Sequence, residues 1–386
     1  MKIKNYLILL VFLTGFVLTV NAKRIEEQDA EKVAVNHYYE KYNRFKGTIS
    51  YNDIVISNIF VKEQGGEPAF YAFDIEGGGF VIVSAEDATY PVIGYSYQGN
   101  FPVNINTESG YGRFIESKVE QILYARENKI QADDFAAAAW EHLLYSSLAE
   151  LNTRKGDRDV EPLVSSMWNQ DFPYNIMCPE DPNGPGDHVY AGCVATCMSQ
   201  VMHYWRYPET GEGSHSYWAD GYGMQSADFG ATNYNWTGMQ NTIDHKNPFP
   251  IAELQFHAGV SVDMDYGTNG SGSFSSIVDN ALRNYFRYNS AQYIEKDSYS
   301  MSDWMNILKN EIDAQHPLYY SGRSSSGGHA FVCDGYQGND FHFNFGWSGS
   351  GNGYYSLYNV NGYSGDQACV RYFYPTESDY PYYASG

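Results

Sequence analysis

The sequence predicts an α+β protein made of two folded units behind an export signal. Three observations carry this. Helical patterns alternate with short strand-like segments in two regions of different texture, a charged stretch near residue 155 parts those regions, and an apolar run opens the chain. At 386 residues the chain is too long for one ordinary domain and comfortable for two. Hydrophobic residues are 43% and charged residues 18%, so most of the chain can fold around a core. There are 46 Asp and Glu against 24 Lys and Arg, a net charge of −22. That charge repels nucleic acid and anionic membrane surfaces, so neither is expected as a partner.

Lys2 and Lys4 precede an apolar run from Tyr6 to Val20, and Val20-Asn21-Ala22 supplies small residues before a cut. Residues 1–22 therefore read as a secretory signal peptide, and export is expected. No second run of this kind follows, so no membrane span is expected. From Ile25 to Tyr42, Ala30, Val33, Ala34, His37 and Tyr38 recur at helical spacing. The segments DIVISNIF, PAFYAFDI, GFVIVSAED and YPVIGYSYQG then alternate between Gly and Pro punctuation, as antiparallel strands do. A second helical stretch is expected over residues 110–152. Residues 152–162, NTRKGDRDVEP, hold Arg154, Lys155 and Arg158 and almost no apolar side chain, which marks an exposed linker open to proteolysis. The first unit is placed at 23–158 and the second at 159–386. In the second, helices are expected over 193–207, stopped by Pro208, and over 250–259, 275–287 and 302–315. Strands are expected at PLYYSGR, HAFVCDGYQ, DFHFNFGW and GYYSLYNV.

The five cysteines, Cys178, Cys193, Cys197, Cys333 and Cys369, are too few for a disulfide scaffold, and their odd number leaves a thiol unpaired. No CxxC and no His pair at ligand spacing is present, so no metal site or cofactor is expected. Asp181 and Asp187 in DPNGPGD read as a solvated turn before they read as a calcium site. Cys193 opens a helix, where the macrodipole favours a thiolate and the backbone N–H is free to meet an oxyanion. His329 follows a Gly/Ser loop at the mouth of a strand, a position from which an imidazole can serve a thiol as general acid and base. Asn344 lies on the next strand and could orient that ring through its amide. Gln170, in a loop 23 residues before Cys193, could donate to a tetrahedral oxyanion.

The order Gln170, Cys193, His329, Asn344 is that of the papain-like cysteine peptidases. The strings GCVATCMSQVMHYWRYP, GVSVDMDYG, GGHAFVCDGY and FHFNFGWSGSGNGYYSL closely resemble the streptopain family of secreted bacterial enzymes. In the first unit, AFYAFDIEGGGFVIVSAEDATYPVIGYS resembles that family's propeptide. The resemblance implies a papain-like catalytic domain, with a helical part bearing the Cys and an antiparallel β part bearing the His, behind a smaller α+β propeptide domain. It also implies a zymogen: the propeptide acts as intramolecular inhibitor, cleavage within 152–162 activates the enzyme, and proteins or peptides are the substrates. Cys193 would be nucleophile, His329 acid/base and Gln170 oxyanion donor, with Gly328 and Trp347 as substrate-binding positions and an apolar side chain favoured at P2.

The sequence departs from the family's pattern in two places. Phe345 follows Asn344 where the family has Trp, which removes an indole N–H from that edge. Four cysteines accompany the catalytic one, and Cys197 is expected to be buried and structural. A catalytically silent binding protein on the same fold and a Cys–His acyltransferase stand as the alternatives.

Overall fold

The computed structural model describes residues 23–107, 109–153, 158–243, 245–324, 327–359 and 366–376. The expected signal segment 1–22, and Arg154 and Lys155 of the linker, lie outside the described residues.

The N-terminal unit begins with α1, Glu27–Lys41, followed by the antiparallel strands β1, Ile56–Gln64, β2, Glu67–Ile75, β3, Phe80–Ser84, and β4, Val92–Ser96. The residues of β2 and β3 read as continuous apolar runs because both faces are covered. Tyr71, Phe73, Val81 and Val83 pack toward α1, and Phe70, Ala72, Phe80 and Ile82 join the opposite core. The expected single helical stretch is three helices: α2, Gly110–Glu127, α3, Asp134–Tyr145, and α4, Leu148–Leu151. The breaks have a local cause. Ser109, Asp133 and Ser147 each accept a hydrogen bond from a backbone N–H of the next first turn, so each starts a new helix. Ser147 and Glu150 complete a capping box.

The second unit opens with a short strand, β5, Asp159–Val160, then α5, Cys193–Trp205. α5 stops two residues sooner than expected because Arg206 takes the left-handed conformation, φ 49°. A hairpin follows, β6, Ser214–Ala219, with β7, Gly223–Asp228, and then α6, Phe249–Ser261, α7, Val278–Tyr285, β8, Gln292–Glu295, and α8, Met301–Asp313. The remaining strands are β9, Leu318–Ser324, β10, Gly327–Gln337, β11, Asp340–Asn344, β12, Gly353–Ser356, and β13, Asp366–Arg371. β6, β7, β8 and β13 have no counterpart in the sequence expectation. They are short and mostly lack the clean apolar alternation that marks a strand.

The strands of both units form one sheet in the order β1-β2-β3-β4-β12-β11-β10-β9-β13-β8, with β5 against β10. The junction is β4 on β12, where Tyr95 pairs with Tyr354 and Gly94 with Tyr355. Gly94 is required there, since a Cβ would lie 2.2 Å from the Tyr355 ring. One face of the sheet at β9, β10 and β11 carries α5 and α6 over Ala330 and Val332. The other carries α8 and, from the N-terminal unit, α2. Tyr111, Phe114, Ile115, Val119 and Ile122 form the buried stripe of α2 and share a core with Phe331, Phe343, Phe345 and Tyr355. Each such large side chain contributes roughly 1.5–3 kcal/mol by leaving water, so the two units are strongly joined. Among the described residues no helix is long and apolar enough to cross a membrane, and no group of three His, Cys, Asp or Glu could hold a metal ion.

Candidate active site

Cys193 is the first residue of α5, as the sequence predicts. Gly192 before it has φ +92°, and a Cβ there would lie 2.8 Å from Met264 Sδ, so only glycine lets the chain turn into the helix at this point. The thiol receives a hydrogen bond from the backbone N–H of Ala330, the neighbour of His329. Burial raises its pKa, and that outweighs the lowering by the backbone donors and by Arg113. The direction of the shift disfavours the thiolate.

His329 is the third residue of β10, not the first, because Gly327 and Gly328 already pair with β9. Its ring stacks on Phe331, 5.3 Å away at 12°, and meets Phe114 of α2 edge-on. It lies over Gly322, its cross-strand partner, where a Cβ would fall 2.7 Å from Nε2. The ring is buried, and its Nδ1 has no hydrogen-bond partner. Burial first, then the charges of Lys118 and Arg113, push its pKa down to about 3. Among the described residues no hydrogen bond joins the thiol to the imidazole. Both nonetheless line one cleft of about 870 Å³ with Gln170 and Gly328.

Gln170 sits in this cleft with its backbone fully engaged. Its N–H donates to Asn169 Oδ1 and its carbonyl accepts from Ala191 N–H. The side-chain Nε2 is buried and unpartnered, a donor with nothing to donate to.

Asn344 does not reach the imidazole. It pairs with Val332, three residues along β10 from His329, and an odd offset places the two side chains on opposite faces of the sheet. Its amide donates to Ser166 O at 2.7 Å and accepts from Gln200 Nε2 and Gly346 N–H. Phe345 is the residue that shares the Phe331 and Phe114 face with His329, 5.0 Å from Phe331 and 5.4 Å from Phe114. Trp347 stacks on Tyr190 at 6.3 Å and is not among the cleft's lining residues, whereas Gly328 is.

Several other side chains have structural partners. His188 Nδ1 lies 2.7 Å from Cys178 O, and His203 Nε2 lies 3.0 Å from Met239 O. Asp181 Oδ1 closes a turn onto Asn183 N–H. All five cysteines are free, and Cys197 is buried. The sequence reading missed Arg113, Phe114 and Lys118. The signal was available, since Lys118 interrupts the apolar stripe of a helix at a buried position. There it is pulled down to a pKa of about 8, chiefly by burial, and lies within 3.4 Å of the Ser356 and Tyr358 carbonyls.

A cysteine at a helix start, a histidine on a facing strand and a cleft between them define a papain-like cysteine peptidase scaffold, here with a second unit packed on its histidine face. Residues 168–355 match the peptidase C10 family, and residues 22–122 match the Spi protease inhibitor family. Streptopain of Streptococcus pyogenes is 31% identical over 93% of this chain and 93% of its own length. The thiol protease/hemagglutinin PrtT of Porphyromonas gingivalis is 31% identical over 94% of this chain, which spans 43% of that longer relative. A fragment of prointerpain A from Prevotella intermedia, with a Cys→Ala substitution, superposes with TM-score 0.67 at 29% identity, covering 83% of this chain and all of that one. Active interpain A superposes with TM-score 0.51 at 35% identity over 56% of this chain and 95% of its own. The chain belongs to the peptidase C10 family. It is a cysteine peptidase preceded by an inhibitor-type propeptide domain.

Proposed function

We propose that this is an exported cysteine endopeptidase whose described form is latent, with Cys193 as nucleophile, His329 as acid/base and Gln170 as oxyanion donor. The observation that carries the reading is that thiol, imidazole and unpartnered Gln170 amide all border one cleft, while α2 of the propeptide lies on the imidazole. A buried neutral ring and a protonated thiol cannot form the ion pair that attacks a peptide. Removing the propeptide takes away Phe114, Arg113 and Lys118 together. The ring then gains water, its pKa rises, and a turn about its side-chain bonds brings it toward the thiol.

The chemistry follows from those positions. The imidazole takes the thiol proton, and the thiolate adds to the peptide carbonyl. Gln170 Nε2 and the Cys193 N–H receive the oxyanion, a pair of donors of which each is typically worth about 10²–10³ in rate. The imidazolium gives its proton to the departing amine, leaving an acyl-enzyme, and then activates the water that releases the acid. Asn344 is left out of this sequence, since its amide is committed to Ser166, Gln200 and Gly346.

Activation is placed within residues 152–162, before β5. From Asp159 onward the chain is held to the catalytic domain: Val160 pairs with Tyr336, and Leu163 and Val164 donate to Asp334. Arg158 binds Asp313 at 2.8 Å. The signal segment 1–22 supports export, and proteins or peptides are the substrates. The test is to express wild type and Cys193→Ala side by side, sequence the N-termini and assay casein. Wild type should yield a chain beginning between residues 154 and 159, and the variant should remain a precursor without caseinolysis. A variant that matures and cleaves overturns the assignment.

A further inference from the structure

The segment bearing Gln170 lies in neither a helix nor a strand, so something else must fix its amide against Cys193. Gln255 of α6 is in position to do so. It is fully buried, and both ends of its amide are used. Oε1 accepts from the Thr196 hydroxyl at 3.1 Å, and Nε2 donates to the Asn169 carbonyl at 3.0 Å. Thr196 stands one helical turn after Cys193, and Asn169 is joined to Gln170 both covalently and by the Oδ1 bond to its N–H. Asn169 is itself pinned at Nδ2 by Ser348. A leucine would fill the Gln255 site without the cost of desolvating an amide. What the glutamine adds is a rigid tie between the helix that carries the nucleophile and the loop that carries the donor.

We infer that Gln255 is a positioning residue that sets the placement of the Gln170 amide relative to Cys193. The inference rests on the reading of Gln170 as oxyanion donor. Donors act only when they lie about 2.7–3.1 Å from the developing oxyanion, and misplacement by about 1 Å costs on the order of 10²-fold. The effect belongs to the transition state, so it should appear in kcat and not in KM.

The experiment uses matured enzyme carrying Gln170→Ala, Gln255→Leu and the pair. Gln170→Ala should lower kcat about 10²-fold. Gln255→Leu should lower kcat about tenfold or more with KM within about twofold, and leave the pH dependence of Cys193 alkylation by iodoacetamide unchanged. The double variant should be no slower than Gln170→Ala, because the tie has nothing left to position. Thr196→Val, which cuts the tie at its other end, should act in the same direction and serves if Gln255→Leu does not fold. Multiplicative losses in the double variant, or KM and alkylation shifting along with kcat, overturn the inference alone. A silent Gln170→Ala overturns the oxyanion reading and this inference with it.

Discussion

Phe114 meets His329 edge-on, with ring centroids 6.2 Å apart and planes at 82°. One residue belongs to the inhibitor-type propeptide domain and the other to the peptidase domain, so the propeptide packs directly on the ring proposed as acid/base. Phe114 also touches Phe331, Phe343, Phe345 and Tyr355, which makes it the keystone of the shared core. Truncating a buried aromatic costs about 3–5 kcal/mol, and here part of that is lost from docking. Phe114→Ala in the precursor should therefore raise the rate of Cys193 alkylation by about tenfold or more. The other four cysteines are buried, so labelling reads Cys193. An unchanged rate would show that α2 does not hold the ring.

Latency should weaken in acid. His329 has a pKa of about 3 when docked and regains an ordinary value near 6.5 when freed. The freed state thus binds more protons below pH 6.5, and docking loses stability as pH falls from about 6.5 toward 3. Above pH 6.5 the ring is neutral in both states and contributes no slope. His37, buried in the propeptide and pushed well below its usual value by burial and then by Lys41 and His142, acts in the same direction when the propeptide itself loosens. Nicked Cys193→Ala precursor should show a propeptide dissociation constant that rises by up to about tenfold per pH unit between pH 6 and 4. A flat profile across that range counts against the docked geometry of His329.

A buried ion pair also holds the two units together. Lys41 Nζ of α1 lies 2.5 Å from Asp340 Oδ2 at the start of β11, with both side chains mostly shielded. The same ammonium reaches Gln337 O, and Gln337 Oε1 accepts from Tyr95 and Tyr97. Removing one partner of a buried pair costs about 3–5 kcal/mol because the other is left uncompensated. Lys41→Met should weaken the nicked complex by about 10²-fold, measured by titrating propeptide against matured enzyme. An unchanged inhibition constant would mean that the pair is solvated in the complex.

The sequence made some of this legible and hid the rest for physical reasons. Cys193 could be placed because a helix start is written locally, in a glycine followed by an apolar stripe. The Gln337–Asp340 turn between β10 and β11 was readable for the same reason, being a short polar break between two apolar runs. The face on which Asn344 points was not readable. Facing depends on strand register, and a shift of one residue exchanges Asn344 with Phe345. The docking of β4 on β12 was also hidden, since a pairing between residues more than 250 positions apart leaves no local trace. The burial of Lys118 could be suspected from its place in an apolar stripe, but its effect on His329 needs the packed interface.

Asn344 supplies the remaining prediction, because its position distinguishes a structural pin from a catalytic orienter. Its amide satisfies Ser166 O, Gly346 N–H and the Gln200 amide in a region closed to water. Asn344→Ala would strand those groups, at about 1–3 kcal/mol for each left unpaired. A loss of a few kcal/mol should lower the melting temperature of the matured domain by roughly 5–15 °C. The acid limb of the kcat profile should stay where it is in wild type, since the amide's hydrogen bonds are spent on Ser166, Gln200 and Gly346 and not on the imidazole. Both quantities can be read from one preparation, by calorimetry and by a pH series of peptide hydrolysis well below the melting transition. A variant that melts like wild type but has lost kcat by about 10²-fold, with the acid limb displaced, would mean that the freed His329 ring turns onto Asn344 and is oriented by it.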